Sequence, residues 1–372
     1  MPAESSSPTS GDDLERPRCD LCGSEDRVPL FSGPDRLIGL AGTFSYVRCA
    51  QCGLIYQYPR LPWTRLAAHY NGDYSAHTPL LQDEPSPLRR AVKRYGVLKL
   101  RWYVERFQGQ GRLLDVGCGT GHFLEEMQRS GRWELTGLEP THGAAAYARE
   151  RLGIPVLEKT LEEAAFPPAS LDVITLWNVL EHLASPMQAL RRTWDWLRPG
   201  GYLILAIPNV ESLSRRLFGR YWVGWDLPRH LYAFPRRTLQ RMFERSGFRA
   251  LDRRCFLITY FSLGTSLTFW YQDWPASLQA LARLLQRAYY SPPVRLGIYP
   301  LQVLAEWLGL TSVTTWAVQK VAGDAASSQG LSDDTNNVSR QHVRNPDPFR
   351  RISRNYPVGI GETVCQGRDC IF

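Results

Sequence analysis

The chain has 372 residues, of which 44% are hydrophobic and 12% aromatic, so it can bury a large core in two domains or one elaborated domain. Lys and Arg number 44 against 36 acidic residues, and the formal charge of +8 permits nucleic acid or an anionic membrane as a partner without requiring either. The acidic N-terminal segment lacks the basic and apolar regions of a secretion signal, which predicts a cytoplasmic protein whose eight cysteines are not a disulfide framework.

Two cysteine pairs of the same form follow a segment, 1–15, that we predict to be disordered. Cys19 and Cys22 make up one pair, Cys49 and Cys52 the other, and each pair is followed by a glycine that allows a tight turn. Four thiolates complete a tetrahedral shell and leave no position for a reacting water. The pattern therefore predicts a structural zinc in a zinc-ribbon-like domain over residues 16–60. The alternative, two unrelated surface pairs, does not account for the repeated form.

Strands and helices alternate after a helical linker predicted at 61–110. The predicted strands are LLDV, WELTGLE, LDVITLW and YLILAIP, and the helices between them are HFLEEMQRS, GAAAYARERL and PMQALRRTWDWL. Such alternation predicts an α/β domain with a doubly wound, Rossmann-like sheet that is mostly parallel.

The turn between the first of these strands and its helix contains three glycines at alternate positions, Gly117, Gly119 and Gly121. Glycines there leave backbone N–H groups bare at a helix N-terminus, where they can hold a carboxylate or phosphate. Glu139 ends the next strand, the position at which doubly wound folds place an acid that accepts hydrogen bonds from a ribose. A nucleoside ligand is therefore expected.

Four blocks in order resemble the signature of class I S-adenosylmethionine-dependent methyltransferases, over about residues 111 to 260. The blocks are Asp115-Val-Gly-Cys-Gly-Thr-Gly121, Leu138-Glu139-Pro140, Leu176-Trp-Asn-Val-Leu-Glu-His182 and Leu197-Arg-Pro-Gly-Gly201. The resemblance implies S-adenosylmethionine as the methyl donor. The implied donor-binding residues are Asp115, Gly117, Cys118, Gly119, Gly121, Glu139, Leu161 and Asn178.

The resemblance also implies what each of these residues does. The glycines wrap the methionine part of the donor, Asp115 orders their loop, and Glu139 holds the ribose hydroxyls. Leu161 lies along the adenine and Asn178 faces the methionine end. Cys118 is a small residue against the donor rather than a nucleophile, because nothing nearby in sequence would lower its pKa.

The segment Trp225-Asp-Leu-Pro-Arg-His-Leu-Tyr-Ala-Phe234 is similar to bacterial methyltransferases of small-molecule, sugar or lipid-like substrates. In related deoxysugar C-methyltransferases a His at this place belongs to the catalytic machinery, so His230 is the first candidate for a general base. The alternative is a structural segment that caps the cleft, with the ring bonded to a backbone carbonyl. Asp226 and Arg229 either bind a charged substrate or pair with each other.

His182 is a second catalytic candidate. In ubiquinone-type O-methyltransferases an acid at the Asn178 position joins the following Glu and His around a divalent metal. Because this chain has Asn there, we favour a helix-start pair, Glu181 and His182, that orients the donor loop.

The methyltransferase-like domain is predicted to extend over 111–322 and to end in an antiparallel strand, Thr311 to Lys320. RALDRRCFLITY, from residue 249, is predicted as the strand before it. Between them an insertion at about 262–310, rich in Leu, Tyr and Trp, predicts helices over the cleft. These helices form either a plain lid or a contact with a membrane surface. Residues 323–372 are polar and aperiodic, which predicts a disordered tail.

Three classes of function follow from these observations. The first is an enzyme that methylates a small-molecule, sugar or lipid-like acceptor, in the cytoplasm or peripheral to a membrane. The second is an RNA methyltransferase that uses the zinc ribbon for recognition. It ranks lower because ribosomal-RNA relatives close the ribbon with His, whereas Cys52 closes it here. The third is a binding protein that uses the donor only as a ligand.

Overall fold

The computed structural model describes residues 14–66, 80–255 and 259–321. The segments predicted as disordered, 1–15 and 323–372, lie outside these ranges except for Leu14 and Glu15. Glu15 pairs with Arg60 in an isolated antiparallel bridge, which fixes this end of the described chain to the N-terminal domain.

The strands of the described residues form two sheets. In chain order they are β1 (Arg27–Gly33), β2 (Phe44–Cys49), β3 (Ile55–Gln57), β4 (Gly111–Val116), β5 (Trp133–Leu138), β6 (Val156–Leu157), β7 (Leu171–Trp177), β8 (Leu197–Pro208), β9 (Tyr232–Ala233), β10 (Phe248–Arg254) and β11 (Val313–Lys320). The first sheet has the order β1-β2-β3-β9 and the second β10-β11-β8-β7-β4-β5-β6.

Helices connect and cover the strands. They are α1 (Trp63–Leu66), α2 (Pro87–Glu105), α3 (His122–Gln128), α4 (His142–Leu152), α5 (Pro186–Trp196), α6 (Leu213–Phe218), α7 (Arg236–Arg245), α8 (Thr259–Gln272), α9 (Gln279–Tyr289) and α10 (Pro292–Trp307). Helices α8 to α10 occupy the predicted insertion. Among the described residues, no helix combines the length and the apolar composition that crossing a membrane requires.

The large sheet is parallel from β4 to β8, and β11 runs antiparallel to both β8 and β10. Its central strands are near-continuous apolar runs because helices cover both faces; Leu113, Leu114, Val173 and Ile174 are fully buried. Strand order reverses between β4 and β7. In open α/β sheets, ligands bind in the crevice at the carboxyl ends of the strands at such a point.

The strand predicted over RALDRRCFLITY is shorter than expected. Strand β10 ends at Arg254, which pairs with Thr315, and α8 begins at Thr259. Strand β11 begins at Val313, two residues later than predicted. Thr259 and Tyr260, the last two residues predicted as strand, are helical, and residues 256–258 of the predicted strand lie outside the described residues.

The small sheet is completed by a strand from the main domain. Ile55 and Tyr56 of β3 pair with Ala233 and Tyr232 of β9, in the segment that follows His230. One buried apolar cluster contains side chains of both sheets, for example Tyr46 and Leu205. The N-terminal domain is thus packed directly beside the segment that carries the candidate base.

Candidate functional site

The glycine loop folds over the carboxyl end of β5. The N–H groups of Gly117 and Cys118 donate to the carbonyl of Leu138, at 2.7 and 3.1 Å. Gly117 has a φ of +67°, and a Cβ there would lie 2.6 Å from a methyl group of Val179. Glycine is therefore required at this position for conformation and for space.

Glu139 is joined to this loop by a hydrogen bond. Its Oε2 accepts from the N–H of Gly119 and its Oε1 from the N–H of Thr141, both at 2.9 Å, and only 6% of the residue is exposed. An ionised carboxylate offers about four lone-pair positions, so two remain for hydroxyl donors. These two remaining acceptor positions fit the two hydroxyls of a ribose diol.

Asp115 lies beneath the loop and ties β4 to β7. The hydroxyl of Thr175 donates to its Oδ1 at 2.7 Å. Burial raises the pKa of Asp115 to about 7, helped by the charge of Glu139 and opposed by the Thr175 hydrogen bond. Cys118 packs against Gly137, and burial raises its pKa well above the ordinary value. A thiol in this state is a poor nucleophile, as expected from the sequence.

Leu161 and Asn178 are placed at the same edge of the sheet. Leu161 is buried in the loop after β6 and belongs to the main apolar core. Asn178 directly follows β7, has a φ of +54°, and its N–H donates to the carbonyl of Ala206 at 2.9 Å. Their contacts with the donor stay predictions.

The two candidate catalytic histidines lie side by side. The ring centroids of His182 and His230 are 4.6 Å apart at an angle of 80°. Nδ1 of His182 is 3.1 Å from the carbonyl of Arg229, and Nδ1 of His230 is 2.9 Å from the carbonyl of Gly224. Because a carbonyl only accepts, each Nδ1 carries the proton and each Nε2 carries the lone pair.

The protonation state of this pair suits a base. Burial lowers the pKa of His230, and burial together with the nearby His230 lowers the pKa of His182 well below its ordinary value. Both rings are therefore neutral near neutral pH. Nε2 of His230 is 3.8 Å from Oδ2 of Asp226, a carboxylate that stabilises the imidazolium once a proton is taken.

Glu181, which the sequence analysis paired with His182, is a third polar group at this place. The residue is fully buried, and neither carboxylate oxygen has a hydrogen-bond partner among the described residues. Burial and the charge of Asp226 raise its pKa to about 8. One ligand atom each from Glu181, His182 and His230 lie within 4.8 Å of one another. Glu181, His182 and His230 thus form a cluster of polar side chains.

Asp226 and Arg229, for which the sequence left two roles open, pair with each other. Arg229 is fully buried, and its Nη2 donates to Oδ1 of Asp226 at 2.6 Å. Its Nη1 and Nη2 also donate to Oδ2 and Oδ1 of Asp35, both at 2.9 Å. Asp35 lies between β1 and β2, and no feature of the sequence indicated it. The guanidinium is thus enclosed by two carboxylates.

Two further side chains of the N-terminal domain hold the backbone around His230. The hydroxyl of Tyr46 lies 2.5 Å from the carbonyl of His230 and 2.9 Å from that of Trp225. Nε2 of Gln57 donates to the carbonyls of His230 and Pro228, at 2.6 and 2.9 Å. Tyr46 and Gln57 are both fully buried. The loop that carries the candidate base is therefore fixed by the N-terminal domain.

A cavity of about 190 Å³ lies beside this loop, between the N-terminal domain and α8. Its walls include Trp222, Trp225 and Phe269, and Asp226 connects it with His230. Arg36 also lines the cavity and forms a bidentate ion pair with Asp273 of the segment after α8. Its Nη1 donates to Oδ1 of Asp273 at 2.9 Å and its Nη2 to Oδ2 at 2.8 Å. Helix α8 thus forms one side of the cavity.

The four predicted zinc ligands come together. Sγ of Cys19 is 3.4 Å from Sγ of Cys52, Sγ of Cys22 is 3.5 Å from Sγ of Cys49, and all four lie within 4.8 Å of one another. Sulfurs about 2.3 Å from a tetrahedral zinc are separated by roughly 3.8 Å, so the cluster fits this ion.

A family described as a methyltransferase domain matches residues 84–252. The ubiquinone biosynthesis O-methyltransferase of Ruegeria pomeroyi is 32% identical over 168 residues, which cover 42% of this chain and 67% of that protein. The enzyme of the same name from Proteus mirabilis is 36% identical over 138 residues, 35% of this chain and 54% of its own length. The chain belongs to the S-adenosylmethionine-dependent methyltransferases. This confirms the family and the donor implied by the glycine loop.

This methyltransferase spans about half to two thirds of the length of these curated relatives. A solved S-adenosylmethionine-dependent methyltransferase from Archaeoglobus fulgidus is 18% identical, with a TM-score of 0.40 over 61% of this chain and 94% of that one. The predicted doubly wound sheet with an antiparallel last strand is confirmed. Strands β1 to β3 and helices α9 and α10 lie outside the matched family domain.

Proposed function

We propose that this methyltransferase methylates a small-molecule acceptor, sugar-like or lipid-like, with His230 as the general base. The observation that carries the proposal is the surroundings of His230: its Nδ1 bonds to the carbonyl of Gly224, which a structural role would also show, whereas its Nε2 lies 3.8 Å from Oδ2 of Asp226, a residue that lines the cavity. The bond at Nδ1 fixes the tautomer, and Nε2 of His230 is left as the proton acceptor. Removal of a proton near neutral pH is what a hydroxyl, an amine or an acidic carbon requires before methylation.

In this proposal, different residues bind the methyl donor and remove the proton of the acceptor. When bound, S-adenosylmethionine supplies an electrophilic methyl group on a sulfonium that is already a good leaving group. The glycine loop and Glu139 hold the donor, and Nε2 of His230 takes the acceptor's proton. Asp226 stabilises the resulting imidazolium. Alignment of the two reactants contributes much of the rate.

The acceptor class is supported by the cavity and by the relatives. The cavity next to Asp226 suits part of a small molecule, with aromatic walls that can contact a ring. The two relatives reported above are named for O-methylation in ubiquinone biosynthesis, which favours oxygen as the accepting atom.

The test is transfer of label from methyl-labelled S-adenosylmethionine into a cell extract, counted separately in lipid, small-molecule, RNA and protein fractions. We expect label in the lipid or small-molecule fraction, lost in Gly119→Arg, which blocks the donor loop. His230→Gln should lose transfer and retain donor affinity by calorimetry. His142→Gln, at a ring whose side chain is 80% exposed, is the matched control and should leave transfer unchanged. Label in RNA, or full activity of His230→Gln, would contradict the proposal.

We further propose that Cys19, Cys22, Cys49 and Cys52 hold a structural zinc. The separations of their sulfurs support this, and so does the left-handed backbone at Gly23 and Gly53, with φ of +74° and +79°, which lets each turn close behind its cysteine pair. Elemental analysis of the purified protein should give about one zinc per chain. Cys22→Ser should lose the metal, whereas Cys255→Ser, at a buried cysteine outside the cluster, should keep it. Protein that is folded, reduced and free of zinc would refute the site.

A further inference from the structure

Helices α9 and α10 present an apolar surface to solvent. In α9, Leu281 and Leu284 are 45% and 63% exposed, and in α10, Leu296, Leu304 and Trp307 are 51%, 52% and 83% exposed. A fully folded domain rarely leaves so many large apolar side chains together on one surface without a partner.

The exposed residues follow the helical repeat. At 3.6 residues per turn, Leu281, Leu284 and Leu285 fall within an arc of about 100° on α9. Leu296, Tyr299 and Trp307 fall within a similar arc of about 80° on α10. Ala282 and Ala305 point inward and are buried. The apolar stripes therefore face away from the protein, the reverse of an ordinary surface helix.

Positive charge accompanies this surface. Arg283 and Arg287 are exposed on α9, about 100° and 60° around the helix from Leu284. Residues 279–307 contain a third arginine, Arg295, and a single acid, Glu306, which is half-buried. The combination of outward Leu and Trp with flanking Arg is typical of helices that lie in the headgroup region of a bilayer.

We propose that α9 and α10 dock this methyltransferase on an anionic lipid surface, with the two helices lying in the headgroup plane. Their 11 and 16 residues are too short to span a bilayer, which needs about 20. The arginines contact lipid phosphates while the leucines and Trp307 enter the acyl boundary. The proposal does not depend on which acceptor is methylated.

Charge favours lipid over a second copy of the chain as the occupant. In a two-fold dimer through this surface the same patch faces itself, so Arg283 and Arg287 would meet the arginines of the other copy. Within residues 279–307 Glu306 is the one acid available to offset them. Anionic headgroups complement the patch without such repulsion.

The test is co-sedimentation of the full chain with vesicles of phosphatidylcholine, with and without phosphatidylglycerol. We expect binding to the anionic vesicles that weakens as salt is added. Each basic residue near such a surface contributes a factor of about five, so Arg283→Gln/Arg287→Gln should bind about thirty-fold more weakly. Leu304→Ser/Trp307→Ser should lose binding to the anionic vesicles. All of these side chains are exposed, and donor affinity by calorimetry verifies that each variant is folded.

Arg18→Gln/Arg112→Gln removes the same charge from side chains that are 73% and 59% exposed elsewhere on the protein, and it should bind like the wild type. Absence of wild-type binding to anionic vesicles would overturn the proposal. So would an equal loss in this control, because the effect would then be one of net charge. Self-association that disappears in Leu304→Ser/Trp307→Ser, without vesicle binding, would assign the surface to a second copy instead.

Discussion

Glu181→Gln tests the electrostatics of the site through the pH dependence of stability. The folded protein raises the pKa of Glu181 to about 8 from an ordinary value of 4.5, because the carboxyl is buried without a hydrogen-bond partner among the described residues. The folded state therefore favours the protonated form. The stability that this gives is complete below the unfolded pKa and is lost as pH rises through the folded pKa.

The size of the effect follows from the two pKa values. One unit of pKa corresponds to about 1.4 kcal/mol. The ionisation of Glu181 should therefore lower the free energy of unfolding by about 3 kcal/mol as the pH rises from 5 to 8. Glutamine has nearly the same shape and does not ionise in this range. The variant should therefore lose about 3 kcal/mol less than the wild type over the same interval.

Urea unfolding of both proteins at the two pH values, without donor, measures this difference. Asp115, whose pKa is also raised, contributes equally to wild type and variant and cancels in the comparison. Glu134→Gln, at a side chain that is 73% exposed, is the matched control and should follow the wild-type curve. If Glu181→Gln and the wild type lose the same free energy between the two pH values, Glu181 is ionised in the folded protein and the assignment of a neutral acid is wrong.

Two other substitutions probe the loop of the base and the loop of the donor. Tyr46→Phe removes the hydroxyl that donates to the carbonyl of His230, with the carbonyl of Trp225 also 2.9 Å away. A hydrogen bond of this kind is worth about 1 kcal/mol, so kcat should fall about five-fold with donor affinity unchanged. Tyr56→Phe, on β3, removes a hydroxyl that bonds neither carbonyl in the described structure, and an equal fall in kcat there would remove the special role of Tyr46. Gly117→Ala should weaken donor binding in calorimetry and destabilise the protein by about 1 to 3 kcal/mol more than Gly131→Ala, because the new Cβ meets Val179. Gly131 has nearly the same φ, +65°, with nothing within 4 Å, so equal effects of the two substitutions would show that backbone strain alone is responsible.

The fold and the methyltransferase family could be predicted because they depend on local patterns. The glycines at 117, 119 and 121, the acid at the end of the next strand and the alternation of strands and helices all lie within short windows of sequence. The four cysteines also came together as their spacing predicted. Each of these features is specified by backbone geometry that a short motif determines.

The support of the candidate base could not be predicted in the same way. Asp35 pairs with Arg229, and Gln57 reaches the carbonyl of His230, across separations of more than 170 residues. Nothing in the sequence around Asp35 or Gln57 shows that β3 pairs with a two-residue strand so far away. The end of β10 was misplaced for a related reason, since a short apolar stretch such as Thr259 and Tyr260 suits a strand or a helix, and here it begins α8.

One short loop determines the tautomers of both candidate catalytic rings. Nδ1–H of His230 donates a hydrogen bond to the carbonyl of Gly224, and Nδ1–H of His182 donates one to the carbonyl of Arg229. Three side chains of the N-terminal domain, Asp35, Tyr46 and Gln57, form hydrogen bonds with this loop. The N-terminal domain makes none of the hydrogen bonds described above for the glycine loop and Glu139. A substitution that disturbs the N-terminal domain should therefore affect the positions of the two imidazole rings more than the donor site. Its expected signature is a fall in kcat, with the affinity for S-adenosylmethionine preserved.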